Sequence, residues 1–505
     1  MSTTNMTTMT EEDDALSDQV GRIALSDDAP PVNLELLVFE NKGLQVVPRP
    51  GLGRVTVATR DFASTELHVP ILREMPAVIC ESNDYMDYME RFLDQDPEVQ
   101  VGILDMFYQP LDSPMGQSLM EPAKVLFLLG VLDDFTLIHQ LLSIYTTNAH
   151  QYQETKSALP IFGSKIPHSC CPNVGYSSQT EDGCVEYSLL KPIQRGEVVS
   201  FSYLSDLFET PTNERRQLLW QTKSFLCQCE RCMGPDYCRY VHCPHCIGDS
   251  PIKGKRITIA CEYNIENDLE AHWQCPSCRD DITSKILSVE RSLNTTLQVM
   301  ERTIKKQKNF NKASGYSPNV LRELIEDCSI KLSPVHHLTI KALRLLVTIS
   351  TTNAYVHFKQ AIMRGIPIES NRRVQSLFRT SVEAGFRLVA ACECVAVGCP
   401  GCGPLVLGKE WNVDNENANK VKSDNCLFAH EPLYDRATPM RHVCDNLLQL
   451  QPQYWPSYAI TLTRRYLPIL KAKFGNVDEI ATNIVLAWET MTCRDCGTLW
   501  MGKPQ

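Results

Sequence analysis

A chain of 505 residues with 49 Lys and Arg against 60 Asp and Glu has room for two or three domains, and its net charge of −11 leaves no electrostatic footprint for nucleic acid. The N-terminal stretch MSTTNMTTMTEEDDALSDQ has no apolar core flanked by positive charge, which predicts no secretory signal. The longest apolar run, VLFLLGVL from Val125, is too short to span a bilayer. The expected compartment is the cytosol or nucleus, where thiols stay reduced, so the 22 cysteines point to metal rather than to disulfides.

In chain order, residues 1–33 are rich in Thr, Asp and Glu without periodicity and read as a disordered acidic tail. From Leu34 to Ile79 short β-rich segments (LELLVF, LQVV, GRVTVA) are broken by Gly and Pro. Helical spacing takes over at about 81–150, as in KVLFLLGVLDDFTLIHQLLSIY, and strands return at CVEYSLL and VVSFSYL. Beyond Lys285 the chain reads as helical: Ile286, Val289, Leu293, Leu297, Met300 and Ile304 recur at three- and four-residue intervals. The segment 403–440, rich in Gly, Asn and Pro, reads as a long loop, and the basic run Lys305, Lys306, Lys308 as a solvated helix face.

Three cysteine constellations suggest zinc. FLCQCERC supplies Cys227, Cys229 and Cys232, three corners of a tetrahedron that needs a fourth ligand from elsewhere. HCPHC and WQCPSC supply Cys243, Cys246, Cys275 and Cys278. These are two C-x2-C knuckles separated by 28 residues, with Trp273 before the second, the pattern of a zinc ribbon. Cys238, His242, His245 and Cys261 are alternates that a four-cysteine site does not need. CPGC (Cys399, Cys402) with CRDC (Cys493, Cys496) is a possible third site, with Cys392 and Cys394 as competitors and free thiols as the bland reading.

Taken in order, GLGRVTVA from Gly51, TTNAH from Thr146, HSCCPN from His168, GEVVSFSY from Gly196 and FLCQCERC resemble the split SET domain of protein lysine methyltransferases. The run SYLSDLFETPTNERRQLLWQTKSFLCQCERC makes the SET and MYND (SMYD-like) branch the most similar, and the zinc ribbon is similar to that of arthropod-type members. The resemblance covers roughly Leu34 to Cys278, and more loosely LSPVHHLTIKALRLL. It implies an α+β fold: a SET domain of short strands with a helical insert and a post-SET zinc site (34–232), a zinc ribbon (233–284) and a helical C-terminal domain (285–505). It also implies Cys170 as the fourth ligand beside Cys227, Cys229 and Cys232, leaving Cys171 and Cys184 as ordinary buried thiols.

The implied reaction is methyl transfer from S-adenosylmethionine to a lysine of a protein substrate, with Tyr203 as the channel tyrosine. The implied cofactor contacts are Gly51, Leu52, Gly53, Asn148, the loop Pro167–His168, and Phe225 stacked on adenine. Each has a plain alternative: a turn at Gly51–Gly53, a helix end at Asn148, core packing for Tyr203 and Phe225. The sequence departs from the family at Pro167, where Asn is usual and where proline offers neither a side-chain donor nor an N–H. Leu52 stands where a polar residue is common, and Lys223 where a Tyr often precedes Phe225. No cysteine lies between Cys80 and Cys170, so a MYND finger in the split is expected to be absent. The rival reading is a non-catalytic scaffold binding proteins between ribbon and helices, with Lys253, Lys255 and Arg256 among its contacts. A nucleic-acid-binding ribbon is a third reading, disfavoured by the acidic balance. No membrane partner is expected.

Overall fold

The computed structural model describes residues 43–153, 155–178, 180, 182–204, 210–246, 258–264, 270–308, 318–367, 371–396, 437–449, 463 and 466–470. The acidic tail, LELLVF, Lys253, Lys255, Arg256, Cys399, Cys402, Cys493, Cys496 and nearly all of 403–440 lie outside them, and of Cys394 only the helical backbone is described. The fold mixes helices with short antiparallel strands and divides into two compact units, residues 1–203 with 216–227, and 204–215 with 228–505.

In the first unit, β1 (Leu44–Arg49) and β2 (Gly53–Ala58) form a hairpin. Its turn has Pro50 and Gly51 at the centre, Gly51 at φ +74, and Leu52 N–H bonded to Arg49 O at 3.1 Å. This is the type II geometry that Pro-Gly favours, since φ above zero at the second central position costs glycine little. The other strands make two three-stranded sheets. β3 (Pro70–Glu74), β8 (Val185–Leu189) and β7 (Val174–Ser177) run in the order β3-β8-β7, and β4 (Val78–Glu81), β6 (Lys156–Leu159) and β5 (His150–Tyr152) in the order β4-β6-β5.

Between β4 and β5 lies the helical insert: α1 (Tyr85–Leu93), α2 (Pro97–Leu104), α3 (Pro114–Ser118), α4 (Met120–Leu128) and α5 (Phe135–Asn148). Asp84 and Asp134 cap α1 and α5, each carboxylate accepting two backbone N–H bonds. Tyr88, Met89, Phe92, Leu141 and Leu142 form the insert's own core, while Leu44, Phe62, Val174, Tyr187 and Phe201 form that of the strands.

The strand expected over VVSFSYL is replaced by isolated bridges, Val57 with Val198 and His168 with Phe201. Its backbone changes partner within a few residues. Val199 N–H goes to Thr56 O, Ser200 O accepts from Asn173 and Val174, and Phe201 N–H goes to Pro167 O. No single neighbour is followed far enough to make a ladder.

In the second unit, β9 (Asp236–His242), β10 (Thr258–Asn264) and β11 (Glu270–His272) form an antiparallel sheet in the order β11-β10-β9. Helices follow at Thr283–Lys308, Pro318–Lys331, His337–Met363, Arg372–Ala396 and Ala437–Leu448. The predicted stripe is the buried one in the first of these: Ile286, Leu293, Leu297, Met300 and Ile304 are buried, and Val289 packs partly against the same core. No helix among the described residues is long and apolar enough to cross a membrane.

Candidate active site and metal centres

Tyr203, His168 and Phe225 meet in the first unit. Ring centroids are 5.2 Å apart for His168–Tyr203, 5.9 Å for His168–Phe225, and 6.4 Å for Tyr203–Phe225, the last edge to face. The hydrogen bonds orient them. His168 Nδ1 lies 2.9 Å from Tyr203 N, and a backbone N–H can only donate, so Nδ1 is the acceptor and Nε2 carries the proton. Nε2 then donates to Cys170 Sγ at 3.2 Å. The Tyr203 hydroxyl donates to Ile166 O at 2.9 Å, which leaves its lone pairs to face a ligand. Burial raises the Tyr203 pKa, so the side chain is a neutral phenol near pH 7.

Behind Tyr203 stands an aromatic wall that the sequence reading missed. Phe201 contacts Tyr203 (4.9 Å between centroids) and stacks on His150 (5.0 Å, 18°). His150 bonds Asn148 O through Nδ1 at 2.7 Å and the Tyr187 hydroxyl through Nε2 at 3.2 Å. Burial pulls the His150 pKa down to about 4, so it is neutral and part of the wall.

Asn148 is the last residue of α5, and its amide nitrogen is already committed, donating to Phe107 O at 2.7 Å and Ile144 O at 2.8 Å. Its amide oxygen is the atom that can meet a ligand. Pro167 likewise spends its carbonyl on Phe201 N–H, at 3.2 Å. Gly51, Leu52 and Gly53 form the tip of the β1–β2 hairpin. Leu52 is exposed, and a methyl group added at either glycine would meet nothing within 4 Å.

Asp105 ties this hairpin to the site. Arg54 pairs with its carboxylate at 2.7 Å, and the Lys165 ammonium lies 3.4 Å from its carbonyl. Two residues on, Phe107 receives Asn148, and Gln109 Nε2 donates to Lys223 O at 2.9 Å. Lys223 ends α6 (Thr212–Lys223) and donates to Thr146 O at 3.1 Å and Thr147 O at 2.7 Å, with its nitrogen 5.9 Å over the Tyr203 ring. Burial lowers its pKa to about 8. Of this group Lys223 was singled out in the sequence, as a departure from the family it resembles; Arg54 and His150 fall within the quoted motifs without being singled out, and Asp105 and Lys165 lie outside them.

Four sulfurs of the second unit, Cys243, Cys246, Cys275 and Cys278, lie within 4.8 Å of one another. The pairs Cys243–Cys278 and Cys246–Cys275 are 3.7 and 3.8 Å apart. A Zn–S length of about 2.3 Å gives a tetrahedral edge of about 3.8 Å, so the donor set fits zinc. Trp273 is fully buried beside it, its indole N–H on Arg239 O at 3.0 Å. The alternates are employed otherwise. Cys238 receives Arg231 at 3.1 Å, His242 faces Thr258, and Cys261 is buried in β10. His245 pairs with Asp280 at 2.7 Å.

Of the other expected zinc ligands, Cys170 and Cys227 belong to the first unit, with sulfurs 4.0 Å apart. Cys229 and Cys232 belong to the second and follow Cys227 by two and five residues, in a turn closed by Cys232 N–H on Cys229 O at 2.9 Å. Cys171 and Cys184 are half-buried rather than buried. Cys171 lies in a bend with Lys191 on its carbonyl at 3.3 Å, and Cys184 directly precedes β8, beside the Asp182 carboxylate.

No family model matches the chain. Over 92 residues, 18% of its length, it is 35% identical to a protein of Acanthamoeba polyphaga mimivirus named for a SET domain, covering 34% of that protein. Over 88 residues it is 31% identical to the histone-lysine N-methyltransferase set5 of Schizosaccharomyces pombe, covering 27% of it. The chain thus spans only about a quarter to a third of these curated relatives, and over those stretches it is similar to SET-domain proteins. Among solved structures, the SET domain of LSMT bound to lysine and AdoHcy aligns over 72% of this chain and 96% of its own at 11% identity, with a TM-score of 0.27.

Proposed function

We propose that the chain is a protein-lysine N-methyltransferase of SMYD-like type, without a MYND finger, that uses S-adenosylmethionine. The observation that carries this reading is the convergence of His168, Tyr203, Phe225 and the Asn148 end of α5 in one neighbourhood. S-adenosylmethionine supplies an electrophilic methyl on a cationic sulfur. Tyr203 offers oxygen lone pairs beside the reacting atoms while its proton is held by Ile166 O. The His150–Phe201–Tyr203 wall excludes water, which favours the neutral, nucleophilic form of a lysine amine. Alignment of amine and methyl can lower the barrier by about 7–11 kcal/mol. Asn148 Oδ1 suits an ammonium and the half-buried Phe225 ring an adenine face. Gly51–Gly53 and His168 complete the cofactor contacts, while Pro167 lacks a donor.

In this reading Cys170, Cys227, Cys229 and Cys232 hold one zinc, and Cys243, Cys246, Cys275 and Cys278 a second. The partner is a protein with a target lysine, met in the cytosol or nucleus. The scaffold reading draws support from the commitment of the Asn148 amide and from Pro167, each of which leaves the proposed cofactor site one donor short. Incubation of protein extracts with methyl-labelled S-adenosylmethionine separates the two. Label transferred by the wild type and lost in Tyr203→Phe is the expected result; transfer unaffected by Tyr203→Phe would refute the assignment.

A further inference from the structure

Lys223 is unusual among the lysines of this chain. Its amine is carried from the end of α6 into the aromatic site, 5.9 Å over the Tyr203 ring, and its main chain is fixed there by Gln109. Two carbonyls at the end of α5, of Thr146 and Thr147, accept from it. An aromatic wall, carbonyl acceptors and exclusion of water are what a methyltransferase must present to a substrate lysine, and here a lysine of the same chain already meets them.

Resting on the reading above, we propose that Lys223 is itself a methyl acceptor, modified in cis at the Tyr203 site. In the step, the lone pair of neutral Nζ forms the N–C bond to the methyl and the C–S bond breaks with its pair going to sulfur. S-adenosylhomocysteine leaves, and the methylammonium returns its surplus proton to water. Burial favours the neutral amine this requires, with the pKa at about 8. The same contacts limit the product. An ammonium has three N–H donors, and two are spent on Thr146 and Thr147. One methyl leaves both bonds intact, whereas a second removes one of them and a third removes both from the charged product, so monomethyl-lysine is the expected form.

The test uses the full-length, zinc-loaded protein with trideuteromethyl S-adenosylmethionine, read by peptide mass mapping. Independently, the reactivity of each lysine to acetic anhydride is compared with and without S-adenosylhomocysteine. The expected result is deuterated methyl on Lys223, loss of that label in Tyr203→Phe and in Lys223→Arg, and selective protection of Lys223 by the product. Lys223→Arg keeps a cation at the end of α5 and guards against a folding artefact. Label on other proteins or other lysines with Lys223 unmodified overturns this proposal and leaves the methyltransferase reading standing. No transfer and no protection, in a folded protein, overturns both.

Discussion

His168 Nε2 donates to Cys170 Sγ at 3.2 Å, so the imidazole that receives the Tyr203 N–H also touches a candidate zinc ligand. The tyrosine proposed as catalytic and the zinc site proposed at Cys170 are therefore two hydrogen bonds apart. A thiolate on zinc is a stronger acceptor than a thiol, and a donor to it helps orient the ligand.

Replacement of His168 by Ala should remove a bond to a charged group, worth about 1.5–3 kcal/mol. The expected outcome in a chelator competition is faster release of one zinc equivalent, with the ribbon zinc retained.

Zinc content gives a second check. The wild type is expected to bind two equivalents among the described cysteines, and Cys275→Ser one. The ribbon also depends on its tryptophan. Trp273→Ala deletes a fully buried ring and leaves Arg239 O without its indole donor, which predicts a loss of about 3–5 kcal/mol in denaturant unfolding.

The second unit should also weaken in acid. Burial works against the Glu290 carboxylate, but His336, His337 and Arg239 outweigh it and hold the carboxyl well below its usual range. Burial also lowers the His336 pKa to about 4. Both folded values lie below the unfolded ones, so the unfolded chain binds more protons and stability falls as pH falls. The loss begins near pH 6.5, where unfolded His336 takes up a proton, and deepens below about 4.5, where unfolded Glu290 does. Melting temperature measured from pH 7 to 4 should trace this decline. Glu290→Gln should flatten its acid limb while costing about 3–5 kcal/mol at neutral pH by leaving Arg239 buried and unpaired.

Pro167→Asn installs the residue usual in the loop that this segment resembles. Gaining a hydrogen bond to a charged ligand, about 1.5–3 kcal/mol, should tighten cofactor binding on the order of 10–150-fold. The Pro167 carbonyl bond to Phe201 does not depend on the side chain and should survive. Unchanged affinity, measured by calorimetry, would remove Pro167 as the weak point.

The sequence was most legible where spacing is chemistry or periodicity. The four ribbon cysteines and the stripe from Ile286 to Ile304 could be read from intervals alone, because a tetrahedral metal and a helix each impose a fixed repeat. The meeting of Tyr203 with His168 and Phe225 could be read only through resemblance, since nothing local ties residues so far apart in the chain. The buried Arg239–Glu290–His336 network was invisible: Glu290 reads as one more charge on an amphipathic helix, and its partners lie 51 and 46 residues away. VVSFSYL failed as a strand for the converse reason. Its composition is β-like, but ladder formation is decided by which neighbours it meets, and it meets several in turn.

The central claim is that the Tyr203 neighbourhood binds S-adenosylmethionine, and calorimetric titration of the zinc-loaded protein with that cofactor, repeated with the demethylated product, tests it most directly. The account predicts saturable binding of both, weakened by Phe225→Ala and strengthened by Pro167→Asn. No heat of binding up to millimolar cofactor, in a folded protein carrying two zincs, would contradict it and leave a scaffold built on a methyltransferase-like fold.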